Sequence, residues 1–594
     1  MSFFSNHSPI CTFLLIPLSV YPTISESNQK KTYNYNMARN TFYTAILLIA
    51  TLTSCKPAAQ QSGSSASSAE ASGQHCVSSV WVADQGDGTY INPVLYADYS
   101  DPDVIRVGDD FYMTASSFQS APGLPILHSK DLVNWTIVNY AIERIPPYDF
   151  YSAPQHGKGV WAPSIRHHDG EYFIFWGDPD FGIYMVKTTD PLGKWDEPVL
   201  VKEGKGMIDP CPLWDEDGKA YLVNGWAASR AGMNSTLTVW EMKPDGTALE
   251  GNPVIVFDGN DGVNHTVEGP KFYKKDGSYY ILCPAGGVET GWQLAMRSGS
   301  PFGPFDPKIV MAQGDTDING PHQGGLVDAP DGSSWFLHFQ DKGLYGRVIN
   351  LNPVKWEEGW PIMGDNGKPV SRHAKPVAGA PIATPQESDE FDSRELGKQW
   401  QWHANYQPLF GMTSDQGFIR IYGHSLSPEF VNFWEVPNLL LQKFPAPAFT
   451  ATAKMKVSAK DDRQQSGLIV MGHDYARIAV EKEGEEFLVK LITCHDAEKG
   501  GREETLAVEK VPASRIYEAG LLPNYEREIW LRAKVTDGGA CSFSYSLDGK
   551  EYADLPGSFT ARQGKWIGAK VGLFSAQPAG LSRGWTDVDW FHID

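Results

Sequence analysis

Along the middle of the chain, a short apolar strand, a Gly-containing turn and a second, aromatic-rich strand recur five times, about 50 to 60 residues apart. The passages open at Asp101-Pro-Asp-Val-Ile, Trp161-Ala-Pro-Ser-Ile, Asp209-Pro-Cys-Pro-Leu, Glu268-Gly-Pro-Lys-Phe and His322-Gln-Gly-Gly-Leu. Asp169-Gly170, Asp217-Gly218, Asp276-Gly277 and Asp331-Gly332 separate the paired strands of four repeats. Asp-Gly predicts a two-residue type I′ hairpin, whose two central positions both need positive φ. The first repeat carries Gly108-Asp109 and turns differently. Repeats of this kind predict an all-β propeller, in which equivalent positions of successive blades face one another across an axial channel.

Counting eight residues back from each turn aspartate reaches Asp101, Trp161, Asp209, Glu268 and, in the fifth repeat, Gln323 beside His322. The expectation is one such residue per blade at the start of the innermost strand, with Asp101, Asp209, Glu268, His322 and Trp161 lining one pocket. Strand alternation places Asp103 on the same side as Asp101. The acidic run Asp215-Glu-Asp217 is expected in solvent at its hairpin turn.

The repeat stops at a Pro- and Ala-rich stretch over residues 376–387, and the propeller is assigned to residues 81–380. Downstream, Phe449-Thr-Ala-Thr-Ala-Lys-Met-Lys-Val, Gly467-Leu-Ile-Val-Met, Ile529-Trp-Leu-Arg-Ala-Lys-Val and Asp587-Val-Asp-Trp-Phe-His-Ile alternate with period two. Many strands joined by Gly, Asp and Pro turns predict a β-sandwich over residues 387–594.

The N-terminal segment reads as processing sequence rather than fold. From Met37, the preferred start, a basic residue, the apolar run Ala45-Ile-Leu-Leu-Ile-Ala and Leu52-Thr-Ser-Cys55 resemble a bacterial lipoprotein signal, with lipidation at Cys55. Residues 1–55 are thus a leader, and the Ser-, Ala- and Gln-rich residues 56–80 a flexible tether. The apolar run is too short to span a bilayer as a helix. The expected location is the cell envelope, with membrane contact only through the lipid. Cys76, Cys211, Cys283, Cys494 and Cys541 show neither CxxC nor zinc spacing, and are expected as buried thiols.

A net charge of −21 excludes nucleic acid and anionic lipid surfaces as partners, which require clustered Lys and Arg. The 19 Trp and 25 Tyr suit a neutral sugar substrate, whose C–H face packs on aromatic rings, although residues such as Trp335, Tyr279 and Tyr280 are expected to fill blade cores. Glycoside hydrolysis needs one carboxyl to protonate the leaving oxygen and another to activate water or attack carbon; a third nearby raises the acid's pKa. The residues alone leave the assignment among Asp101, Asp209 and Glu268 open.

The stretches Tyr99-Ser-Asp101-Pro-Asp-Val-Ile, Pro125-Ile-Leu-His-Ser-Lys-Asp-Leu-Val-Asn-Trp, Val160-Trp-Ala-Pro-Ser-Ile, Ile208-Asp-Pro and Val267-Glu-Gly-Pro resemble glycoside hydrolase family 43 over residues 90–375. The C-terminal segment is similar to the lectin-like, concanavalin A-like sandwich of its β-xylosidases. The resemblance implies a five-bladed propeller and an inverting reaction, with Asp101 as general base, Glu268 as general acid and Asp209 as the carboxylate that tunes and orients the acid. It further implies that Trp161, Ala162, Phe118, Ile208 and Arg347 bind sugar. His322 would contact a structural calcium, and catalysis would need no cofactor. Ser120, Ala121 and Val348 depart from the family's pattern. The expected activity is release of terminal β-D-xylosyl or α-L-arabinofuranosyl groups from hemicellulose oligosaccharides. The alternatives are an endo-acting arabinanase or galactan-cleaving propeller, and a non-catalytic glycan-binding lipoprotein.

Overall fold

In the computed structural model, which describes residues 76–260, 262–517 and 523–594, five four-stranded antiparallel sheets precede two larger ones. The leader, Cys55 and most of the tether lie outside the described residues. Blade 1 runs outward through Asp103–Val107, Asp110–Thr114, Gly123–Ser129 and Trp135–Ile142. Blades 2 to 5 repeat that order from innermost strands Trp161–His168, Met207–Trp214, Lys271–Lys275 and His322–Asp328. Each blade has two apolar faces, which is why a second strand such as Tyr172-Phe-Ile-Phe-Trp reads as continuous hydrophobicity rather than alternation. Facing residues meet in five clusters, one per seam. Ile126 packs with Ile174, Phe175 with Leu222, Val223 with Phe272, Leu282 with Phe336, and Leu337 with Val104. The last of these closes the ring, helped by the pairing of Thr89–Ile91 with Arg372–Ala374. Trp335, Tyr279 and Tyr280 are buried in blade cores as expected; Cys211 and Cys283 are buried in the propeller and Cys494 and Cys541 in the sandwich, whereas Cys76 is only partly buried.

The four Asp-Gly pairs form two kinds of turn. Asp169-Gly170 and Asp276-Gly277 have positive φ at both residues and close two-residue hairpins. In blades 3 and 5 only Gly218 and Gly332 are left-handed, and the loops Glu216-Asp217-Gly218 and Pro330-Asp331-Gly332 are one residue longer. That extra residue shifts the count from the turn.

The structural repeat is accordingly a left-handed residue seven positions before each loop: Asp101, Ala162, Asp209, Gly269 and Gln323, with φ of 54, 36, 56, 58 and 31°. In the first four blades the next residue is Pro, which disfavours the right-handed helical region for its predecessor. A bulge follows in the strand register of blades 2, 3 and 5. Three acids in one phase is therefore corrected to two: Asp101 and Asp209 are equivalent, whereas Glu268 precedes its blade's left-handed position by one. Gly269 occupies that position because a Cβ there would lie 2.2 Å from Cγ of Gln323.

Two further expectations change. The left-handed turn at Asp101 breaks the strand alternation, so Asp103 does not share its surroundings; it is fully buried against Arg166, 2.6 Å away. Asp215 is buried rather than solvated, accepting hydrogen bonds from Lys274 and from the Tyr279 hydroxyl, while Glu216 and Asp217 stay exposed.

The C-terminal sheets stack as a sandwich. One contains Leu440–Lys443, Lys570–Pro578, Gln465–Met471 and Tyr475–Glu483; the other contains Trp585–Ile593, Phe449–Ala459 and Asn524–Val535. Their inward residues, among them Ala451, Ala453, Met455 and Val457, form a core that also includes Tyr96, Tyr345 and Val348 of the propeller. Tyr345 is the wedge: its hydroxyl accepts the Gly538 N–H at 2.8 Å and lies 3.0 Å from the Pro447 carbonyl and 3.1 Å from Asp537. Tyr345→Phe leaves those groups unserved and is expected to cost about 1–3 kcal/mol, read as a lower urea unfolding midpoint for both units. An unchanged midpoint would show that the hydroxyl is idle.

Candidate active site

The five left-handed positions and the residues just before them converge at one end of the channel. Asp101 is the most heavily bonded. Ser116 Oγ accepts the Ala162 N–H at 2.7 Å and Ser100 Oγ accepts Arg347 Nη1 at 2.6 Å. Both hydroxyl hydrogens are thus left for Asp101 Oδ2, at 2.7 and 2.8 Å, while Arg347 Nη1 approaches Oδ1 at 3.0 Å. Three donors converge on the carboxylate, which leaves it an acceptor. Arg347 lies over the Phe339 ring at 4.8 Å, fixing the plane of its guanidinium.

Asp209 has a different environment. It is 2% exposed, and Oδ2 accepts only the Gly269 N–H, at 2.8 Å. Burial, then the charge of Glu268, raise its pKa well above the ordinary carboxylate range; Asp101 adds to the rise, against the Gly269 N–H and Lys271. Glu268 is the open member, with its side chain 37% exposed and Oε1 3.0 Å from Nε2 of His322. The site therefore holds an acceptor carboxylate braced by Arg347 and, opposite, a buried carboxyl coupled to an accessible one.

His322 is fully buried and its Nδ1 has no hydrogen-bond partner. Calcium takes roughly six to eight oxygen ligands. Around this imidazole no group of three or more His, Cys, Asp or Glu is assembled among the described residues, and its other nitrogen is committed to Glu268. The remaining ligands of such an ion would have to be water and carbonyl oxygens, and no chemistry is routed through one.

The expected sugar contacts divide. Trp161 is partly exposed, with Nε1 bonded to the Gly157 carbonyl at 3.1 Å. Ala162 acts through its backbone N–H on Ser116. Phe118, 3% exposed, meets Trp161 edge-on at 6.3 Å and props it rather than offering a face of its own. Ile208 is likewise buried. The departures from the family's pattern serve the domain seam. Ser120 accepts Lys570 Nζ at 2.7 Å, Ala121 pairs its backbone with Trp402, and Val348 sits in the sandwich core. Burial, with Lys443 nearby, pushes Lys570 down to about 7.

Sequence reasoning missed four contributors. Ser100 was visible only as the residue before Asp101, and Ser116 lies in a different strand-end loop. Trp566 comes from the sandwich, 47% exposed, with its ring 6.4 Å from Trp161. Asp98 joins the two domains, accepting the Arg347 N–H at 2.9 Å and the Gly568 N–H at 3.1 Å. Nothing local in the sequence links residues so far apart.

The profile of glycosyl hydrolases family 43 matches residues 90–361, and that of the beta xylosidase C-terminal concanavalin A-like domain matches residues 388–594. A beta-xylosidase of Formosa agariphila is 31% identical over 565 residues, covering 86% of this chain and 91% of the relative. A non-reducing end alpha-L-arabinofuranosidase of Bacteroides ovatus is 27% identical over 537 residues, covering 85% and 94%. The crystal structure of the GH43 BlXynB protein from Bacillus licheniformis superposes with a TM-score of 0.70 at 26% identity, covering 85% of this chain and 99% of that one. The two profiles and the relatives' coverage span propeller and sandwich alike, and the chain belongs to glycosyl hydrolases family 43.

Proposed function

We propose that the protein is an exo-acting hemicellulase that removes terminal β-D-xylosyl or α-L-arabinofuranosyl groups by single displacement with inversion. The observation that carries the roles is the contrast between the braced acceptor Asp101 and the coupled pair Asp209–Glu268. Asp101, held by three donors on its roughly four acceptor positions, keeps one for the attacking water and takes its proton. Glu268, the accessible member of the pair, protonates the leaving oxygen, and buried Asp209 opposes loss of that proton. Trp161 and Trp566 flank the sugar as aromatic plates, and Arg347 aligns Asp101. The Formosa and Bacteroides relatives, one named for xylose and the other for non-reducing-end arabinofuranose, support the substrate class and attack from the chain end. The lipoprotein motif at Cys55 supports a tethered enzyme of the cell envelope.

Proton NMR of sugar released from aryl xyloside and aryl arabinofuranoside tests substrate and stereochemistry together. The inverted anomer should appear first; net retention rejects single displacement.

Leaving-group dependence separates acid from base. Glu268→Ala should lose about 10³-fold or more in kcat on xylo-oligosaccharides but far less on aryl glycosides with acidic leaving phenols, which depart unprotonated. Asp101→Ala should lose comparably on both. Equal sensitivity of the two variants to the leaving group would reverse or void the assignment.

Asp209→Asn keeps an acceptor for the Gly269 N–H and removes the buried charge. The pair then sheds its proton more easily, so the alkaline limb of kcat/KM should move to lower pH and kcat should fall. Because the folded-state pKa of Asp209 is raised, the native state of the wild type bears a cost that is absent below the unfolded pKa and grows above it. The variant should therefore gain unfolding midpoint relative to wild type as pH rises from about 4 to 7. A midpoint difference that stays flat with pH would show that Asp209 is not strained by ionisation.

A further inference from the structure

Lys271 is the fourth residue of the Glu268-Gly-Pro-Lys passage and among the most deeply buried large side chains of the described residues, 1% exposed. Its Nζ crosses the channel from blade 4 to blade 2, where it donates to the Pro163 carbonyl and to Ser164 Oγ, both at 2.8 Å. Both partners are neutral. A buried ammonium so placed is costly unless a carboxylate balances it.

The other charges around the axis identify that carboxylate. Arg347 is paired with Asp101 at 3.0 Å, and Arg166 with Asp103 at 2.6 Å. Arg166 also reaches Cys211 Sγ at 2.9 Å and lies over the Tyr273 ring, so it has no freedom to serve another acid. His322 is engaged with Glu268. Among the described residues at the axis, one cation, Lys271, and two carboxyls, Asp209 and Glu268, remain. Neutrality of this remainder requires one carboxylate and one carboxylic acid.

We propose that Lys271 is a positioning residue that sets the proton count of the acid pair at one, through charge and without touching substrate. The inference rests on the acid–base reading above. With Lys271 present, one negative charge in the pair is balanced and the second is not. The pair is thereby held in the singly protonated state that delivers a proton and is restored by the next water-derived one. The direction in which Lys271 acts on Asp209, opposing the rise from burial, agrees with this placement.

The test is the pH profile of kcat/KM on an aryl xyloside or arabinofuranoside, whichever the wild type cleaves. Lys271→Met keeps the length and removes the charge, so the alkaline limb should move up by about half a pH unit or more, opposite in sign to Asp209→Asn. Lys271→Arg, which keeps the charge, should leave the limb near its wild-type position. Ser164→Ala removes one hydrogen bond to the ammonium but no charge; it should lower the unfolding midpoint without moving the limb. If Lys271→Met does not fold, Lys271→Gln retains the N–H donors and carries the same expectation. An unmoved limb in folded, neutral Lys271 variants overturns the proposal, and so does an equal shift in Ser164→Ala. Failure of the underlying reading would look different: Glu268→Ala would then keep wild-type turnover on oligosaccharides, whatever Lys271 does.

Discussion

The constraint on which this molecule depends is a single backbone conformation repeated five times. At the channel end of each innermost strand one residue adopts positive φ, and in four blades a proline follows. For Asp, Ala and Gln this conformation costs of order 1–3 kcal/mol each, held in place by seams of packed aromatic and aliphatic side chains on both blade faces. The strained residue and its predecessor both turn toward the axis, so each blade supplies a dipeptide to the pocket rather than a single side chain. Ser100-Asp101, Ile208-Asp209, Glu268-Gly269 and His322-Gln323 thereby place a hydroxyl, three carboxyls and an imidazole within reach of one another.

Much of this was legible in the sequence, and the parts that were not share a cause. Strand pairs, turns and the five-fold period follow from local patterning, and the sandwich from alternation beyond residue 387. The phase of Glu268 was misread because Asp-Gly does not determine loop length: the same dipeptide closes two-residue loops in blades 2 and 4 and three-residue loops in blades 3 and 5. Asp103 and Asp215 were placed by alternation and turn chemistry, whereas their partners, Arg166 on the next blade and the pair Lys274 and Tyr279, lie far along the chain. Ser116, Asp98 and Trp566 enter the site by tertiary contacts alone. The calcium suggested at His322 came from likeness to relatives and not from any spacing of ligands along the chain.

The chemistry follows from placing similar groups in dissimilar surroundings. Asp101 and Asp209 occupy equivalent positions of blades 1 and 3, yet one meets two hydroxyls and a guanidinium and the other is buried with a single N–H and the charge of Glu268. The blade repeat supplies the geometry twice, and the neighbours give one copy three hydrogen-bond donors and push the pKa of the other well above the ordinary carboxylate range.

The Tyr345 wedge has a consequence for how such a chain can be assembled from parts. The linker near residues 376–387 looks like a joint at which one module could be exchanged for another. The sandwich core, however, is completed by Tyr96, Tyr345 and Val348 from the propeller, and Asp98 ties the backbone of Arg347 to Gly568. The unit that recombination could move intact is therefore not bounded by the linker. A foreign sandwich would have to bring its own socket for the Tyr345 ring and its own N–H for Asp98, or leave the arginine behind the catalytic pocket without its anchor.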